Sequence, residues 1–360
     1  MRTALSIVAV PLAILVVGII HAGIESPIAG KYEILEPITE GALTVFPVVG
    51  QPVPGADNLL TLDEGLRSGE VIVTEQGSVT GLRRHRPGVW TETPPSTGNA
   101  LVNQLTLVNN SKRPLILLAG EIVSGGKQDR IVGKDRIVAP ESDVALGVFC
   151  VEPHRWNQTT QNFNPVPSAM AQPSVRQQAM AGQNQQAVWD QVAHARNAMK
   201  SSVPLAQMAI DASSSYAHAV EAAPVKREME ATVMPIEQRF FALGAHLRDR
   251  KALGVVVAVN GRIVWADVFA NSALFNKYWP KLVRSYAAEA MSNSHTYYNP
   301  SKPDPHAFLY NLDAIRETSE SEPGLFRNTQ LSGNDFEAFL LTALLPGTGY
   351  NVHLTKMAKF

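Results

Sequence analysis

Apolar and polar residues change their period midway along the chain, and that change predicts two kinds of structure. Up to residue 156 the apolar positions come in strand-length runs and alternations at 43–49, 70–75 and 101–109. Residues 58–66 read as a strand passing into a helical turn. The block 115–156 then reads as four strands, at 115–123, 130–132, 136–139 and 145–152, separated by Gly125-Gly126, Gly133-Lys134 and Pro140-Glu141. With no convincing helical period between these strands, residues 42–156 predict a β-rich domain. It would be an antiparallel sandwich or a partly open barrel.

Residues 157–186 are rich in Asn, Gln, Pro, Ser and Met and show no period, which predicts a flexible connection. Helical spacing follows. Val188, Val192, Ala195 and Met199 share one face of a helix over 187–200. Leu205, Met208, Ala209, Ala212, Tyr216 and Val220 share a face over 205–222, with Pro224 as the stop. Residues 225–250 carry Pro235 and predict two helices or one kinked helix. Residues 252–259 and 262–269 around Asn260-Gly261 form the clearest hairpin, because that dipeptide tolerates positive φ angles. Leu274, Phe275, Tyr278, Leu282, Val283 and Tyr286 then form an amphipathic stripe, with Pro280 opening its main helix. The tail, 336–345 and 350–357, reads as a closing hairpin or a helix–turn–strand. Residues 187–360 are thus an α-helical and β-hairpin half that packs on the β domain, and the whole chain is α+β.

Composition narrows the function classes. The 360 residues include 18% charged and 45% hydrophobic positions, a globular balance, with a net charge of −1. Nucleic acid is excluded as a general partner, since phosphate neutralisation needs clustered Lys and Arg. The basic spot Arg83-Arg84-His85-Arg86 is too short to alter this and reads as a solvated loop. One cysteine, Cys150, allows no intrachain disulfide, and nine scattered histidines show no His-x-x-x-His pair, so no metal site is predicted. Residues 1–22 start basic and continue into the apolar run 4–20, which reads as an export signal or an uncleaved membrane anchor. Either way the folded part is expected to be periplasmic or secreted, touching a membrane only through that segment.

Candidate chemistry concentrates in the 115–156 block. Gly125-Gly126-Lys127-Gln128 with Arg130 is either an anion cradle or an ordinary glycine turn with solvated cations. Glu121 interrupts an aliphatic strand; buried, it needs a partner, with Lys127 or Arg130 nearest in sequence, and is then a candidate acid or base. Cys150 lies in a buried-strand pattern and reads as a core residue rather than a nucleophile. Glu152, Arg155 and Trp156 read as a polar pocket rim. Asp267 faces the apolar hairpin. Lys281, Arg284 and Ser285 form either a solvated helix face or one wall of a cleft against the first half.

Taken in order, Leu62-Asp63-Glu64-Gly65-Leu66, Thr74-Glu75, Leu118-Ala119-Gly120-Glu121 and Gly125-Gly126-Lys127-Gln128 with Arg130 form a recognisable series. Cys150-Val151-Glu152, Arg155-Trp156, Val259-Asn260-Gly261, Ala266-Asp267 and Trp279-Pro280-Lys281-Leu282 continue it. With these the chain resembles the ARG-and-rhodanese-phosphatase-superfamily-associated protein domain, a bacterial domain of unknown function. The family's name derives from association with ADP-ribosylglycohydrolases and related enzymes, which implies a role around ADP-ribose or NAD metabolism; no established activity or cofactor comes with it. Three readings stand. The first is an envelope binding or sensing module for an anionic or sugar-like small molecule, held by Lys127, Gln128, Arg130 and Arg155 against Glu121 and Trp156, with Asp267 and Lys281 as further ligand contacts. The second is a hydrolase or transferase on ADP-ribose-like or glycosidic substrates, with Glu121 or Glu152 as acid/base. The third is a structural protein or one that binds a protein partner.

Overall fold

A computed structural model describes residues 14–18, 32–53, 58–75, 103–155, 159–247, 250–293, 304–345 and 349–359. Trp156 and most of the apolar leader lie outside these residues. The strands of the first half are β1 (Ile14–Gly18), β2 (Tyr32–Ile34), β3 (Ile38–Glu40), β4 (Leu43–Gly50), β5 (Leu60–Thr61), β6 (Val71–Glu75) and β7 (Gln104–Asn109). The central block supplies β8 (Leu115–Leu117), β9 (Glu121–Ser124), β10 (Arg130–Val132), β11 (Arg136–Val138) and β12 (Ser142–Cys150). Helix α1 (Leu62–Ser68) follows β5, started by a capping box in which Thr61 and Glu64 bond reciprocally. Then come β13 (Asn164–Met170), α2 (Pro173–Gln177), α3 (Gln185–Ser202), α4 (Gln207–Asp211), α5 (Tyr216–Glu221) and α6 (Ala223–His246). The chain ends with β14 (Lys251–Val259), β15 (Arg262–Phe269), α7 (Ser272–Ser292), α8 (Pro305–Tyr310), β16 (Arg316–Glu322), β17 (Phe326–Ser332), β18 (Phe336–Ala343) and β19 (Asn351–Ala358).

The six-stranded sheet β13-β9-β10-β12-β7-β6 and the small sheet β11-β8-β5 together make the nearly closed barrel that the first half predicts. Its interior is filled by Leu115, Leu117, Val123, Val132 and Val138 with residues of β6, β7 and β12. The neighbours Ile116, Ile122, Ile131 and Ile137 point out of the barrel into the main core. Side chains alternate across a strand, so a strand buried on both faces must be apolar throughout. That is why this block reads as continuous aliphatic runs.

A ten-stranded sheet carries β1-β16-β17-β18-β19-β15-β14-β4-β2 in order, with β3 also on β4. The main core lies where this sheet, α3, α6 and α7 meet the outer face of the barrel. Strand β4, which the pattern groups with the first half, pairs with β14 along its whole length. The Asn-Gly hairpin forms as expected, with Asn260 and Gly261 at φ 51° and 77°. The tail is the antiparallel pair β18–β19. Among the described residues no helix is long and apolar enough to cross a membrane.

Several elements depart from the pattern. Residues 159–182, read as flexible, are ordered: β13 pairs with β9, and Phe163, Met170, Val175 and Met180 are buried. Leu205 and Met208 are exposed, while Ala206, Ile210, Tyr216 and Val220 are buried, because the 205–222 stretch is broken into short helices rather than one. Pro224 lies in the first turn of α6 instead of ending its predecessor; of the two alternatives at Pro235, α6 is the single helix. Pro280 lies inside α7, not at its start. Packing of α6 on α7 through Phe240, Phe275 and Trp279 outweighs the local cost of the two prolines.

Candidate functional site

Three clusters of buried charge take up the residues singled out by sequence. The first is the loop between β9 and β10, laced to the chain beyond β12. Asp129 closes the loop by accepting from Ser124 Oγ at 2.7 Å and Gly125 N at 3.1 Å. Its other oxygen accepts from Ser215 Oγ, and its own N–H donates to Glu152 at 3.0 Å. Arg155 pairs with Glu152 at 2.6 Å and donates to the carbonyl of Gly126 at 3.1 Å. Gly126 has φ 50°, and a Cβ there would stand 2.4 Å from the Phe163 ring and 2.6 Å from Glu75 Oε1. The glycine therefore lets the loop back directly onto Glu75, which accepts from Lys127 N at 2.7 Å.

Arg130 lies at the bottom of this corner with its side chain fully buried. One nitrogen donates to Gln128 Oε1 at 3.3 Å, and Glu75 stands 3.8 Å away, an ion pair without a hydrogen bond. Its Nε and Nη2, together with Glu75 Oε2, have no hydrogen-bond partner among the described residues. Three of the eight such buried atoms thus sit at one place. Cys150 is paired with Arg130 across the sheet, and its backbone exchanges two bonds with the Gln185 amide at 2.9 Å each. Burial pushes its thiol up to about 11, so it is a core group rather than a thiolate.

The second cluster corrects the expected pairing of Glu121. Its partner is neither Lys127 nor Arg130 but Lys281, at 2.8 Å, and Lys281 also meets Asp63 at 3.0 Å. Glu121 further accepts from Leu118 N at 2.7 Å. Lys281 and Ser285 are buried, so this stretch of α7 is a wall against the barrel and not a solvated face. Burial raises the Glu121 carboxyl, and the Lys281 charge only partly offsets it. Burial pulls the Lys281 ammonium down, but Glu121 and Asp63 outweigh it and hold the lysine charged.

The third cluster centres on Asp267, which sequence placed against an apolar hairpin without partners. It accepts from Arg176 at 2.9 and 3.2 Å, Trp265 Nε1 at 2.9 Å, Thr355 Oγ1 at 2.8 Å and His353 Nε2 at 3.1 Å. Tyr286 donates to it as well. The other imidazole nitrogen meets Asp135 at 2.6 Å, and Asp135 also accepts from Ala119 N at 2.8 Å. Burial acts to raise Asp267, but Arg176 and His353 overcome it and hold the carboxyl far below the usual range. Burial acts to lower His353, yet Asp135 and Asp267 lift it to about 9. Gly120, at φ 94°, lets Arg176 lie against the barrel, since a Cβ there would come within 2.5 Å of its Cγ.

The sequence candidates therefore divide. Lys127, Gln128, Arg130, Glu152 and Arg155 come together at the first corner, Glu121 and Lys281 form the second cluster, and Asp267 anchors the third. Sequence reasoning missed Glu75 and Asp129 as members of the corner, and Arg176, His353 and Asp135 altogether.

The fold is α+β, a barrel joined to a large antiparallel sheet through buried charge, and three of the eight unbonded buried polar atoms among the described residues gather at the Arg130 corner. The chain belongs to the ARG and Rhodanese-Phosphatase-superfamily-associated Protein domain family (ARPP-1), whose model matches residues 31–357. No curated protein and no solved structure matches the chain.

Proposed function

We propose that the protein is a periplasmic or secreted binding or sensing module whose ligand, an anionic or sugar-like small molecule, is held at the corner around Arg130. The observation that carries this reading is the buried Arg130–Glu75 pair, which keeps two donor nitrogens and one acceptor oxygen unbonded within the described residues. Buried polar atoms are nearly always paired, and each exception costs about 1–3 kcal/mol. A group that donates to Glu75 and accepts from Arg130 relieves both, and a sugar hydroxyl does so. A phosphate or carboxylate meets the guanidinium alone, with Lys127 of the β9–β10 loop and Arg155 of the chain beyond β12 at the same corner. The envelope placement rests on the sequence reading of residues 1–22 alone; in the structure Ile14–Gly18 pairs with β16 as β1.

A second reading is favoured by Glu121, whose raised carboxyl beside a charged lysine is the arrangement of a general acid. In that reading the protein is a hydrolase or transferase on ADP-ribose-like or glycosidic substrates, the class suggested by the family's name.

The test is a thermal-shift screen of the full chain against ADP-ribose, NAD, nucleoside phosphates, sugars and divalent metals. A ligand at about 100 times its Kd stabilises the fold by about 2.7 kcal/mol. A hit that disappears in Arg130→Met supports the binding reading, and silence across the panel moves the search to a protein partner. Turnover of a hit that is abolished in Glu121→Gln, with binding kept, would establish the enzyme reading; turnover retained in that variant removes Glu121 as the acid/base.

A further inference from the structure

Away from the Arg130 corner, a pocket of about 390 Å³ is bounded by α2, α3, the β14–β15 turn and the end of α7. Its volume lies inside the range of about 300–1,000 Å³ typical of small-molecule sites. Five side-chain amides line it: Gln177, Gln178, Gln191, Asn260 and Asn293. Three of them are held in place by framework bonds. Gln177 donates to the Ala358 carbonyl at 3.1 Å, Asn260 to the Asn293 carbonyl at 2.7 Å, and Asn293 to Glu289 Oε1 at 3.0 Å. The backbone carrying Gln178 is a π-helical turn, Gln178–Gly182, a rare conformation that concentrates at functional sites. Val259, Val264 and Trp265 supply the apolar part of the wall.

We infer that this pocket is a second binding site, for a neutral, hydroxyl-rich ligand of monosaccharide size. An amide offers a donor and an acceptor at once, and so does a hydroxyl, so a ring of amides suits a polyol better than it suits an ion. The wall also argues against either sign of charge. Glu289, buried here, takes its hydrogen bonds from the neutral groups Ser174 N at 2.9 Å, Ser174 Oγ at 2.8 Å and Gln172 Nε2 at 3.1 Å, besides Asn293. Its negative charge disfavours an anionic ligand, while Arg262 in the same lining disfavours a cationic one. The valines of the lining, Val259 and Val264, give the C–H groups of a sugar ring an apolar neighbour.

The experiment is ligand-observed saturation-transfer NMR on the full chain. Glucose, N-acetylglucosamine and ribose are the probes, and choline and inorganic phosphate are the charged comparisons. At least one sugar is expected to receive saturation at its ring protons. Gln191→Trp, which fills the pocket from α3, should weaken that binding by about tenfold or more, equivalent to about 1.4 kcal/mol. Gln191→Glu keeps the size, adds a charge and should act in the same direction, which guards against a folding defect in the larger variant. Both Gln191 variants are also compared in the Arg130→Met background, where sugar held at the corner no longer contributes. No transfer to any sugar, a stronger response from choline or phosphate, or a signal that survives both Gln191 variants in that background overturns the assignment. A signal lost in Arg130→Met but kept in the Gln191 variants also overturns it, and moves sugar binding to the corner.

Discussion

The Asp267 cluster and the Arg130 corner are built from the same materials and finished differently. Each buries an arginine completely, close to a carboxylate, at a junction between elements distant in sequence. At Asp267 six hydrogen bonds from five side chains converge on one carboxylate, and the two carboxylates Asp135 and Asp267 balance Arg176 and His353. At Arg130 the ion pair is long, and donors and an acceptor stay unbonded within the described residues. A finished network fixes one arrangement of the barrel against the large sheet. An unfinished one costs stability, which is the reason for proposing the corner as the recognition site. Buried charge is thus common to both places, and incomplete bonding within the described residues is what sets the Arg130 corner apart.

The largest effect that would break this contrast is expected at Asp267. Asp267→Asn leaves Arg176 and His353 short of a counter-charge in the core and turns an amide N–H₂ toward their donors. We expect a loss of about 3–5 kcal/mol in urea unfolding. A loss below about 1 kcal/mol would mean that the cluster does not hold the two parts together.

Next comes pH. His353 is lifted from 6.5 to about 9 in the folded state, so folding binds its proton more tightly. Its contribution is fully present below about 6.5 and is lost as pH rises through about 9. The size is on the order of 3 kcal/mol. The parent should therefore lose stability between neutral and alkaline pH by more than His353→Gln does. Parallel pH profiles for the two would refute the charged-imidazole assignment.

Legibility followed the range of the interactions. The Asn260-Gly261 hairpin was readable because its φ values are local, and the barrel strands were readable because burial on both faces leaves continuous aliphatic runs. The Gly125–Arg155 corner was readable because most of its polar residues lie within one block. Arg176 was not, because it lies in an amide-rich stretch without period, and its partner Asp267 is 91 residues away. The signal present there was Val175, Ala179 and Met180, which are all buried. His353 and Asp135 are 218 residues apart, and nothing local announces such a pair. Strands β16 and β17 were invisible because Arg316–Glu322 and Phe326–Ser332 are polar on nearly every position and show no alternation. Pro280 misled for the opposite reason: a strong local rule was overruled by packing between α6 and α7.

The most direct measurement is urea unfolding of the double variant Glu75→Gln/Arg130→Met. It removes the under-bonded pair while keeping side chains of similar length, and replacing such a pair with neutral groups is often neutral or stabilising. The account predicts a stability within about 1 kcal/mol of the parent, or above it, against the loss of about 3–5 kcal/mol at Asp267→Asn. A double variant that loses as much as Asp267→Asn would show that the corner, like the Asp267 cluster, is part of the framework, and would contradict its assignment as the recognition site.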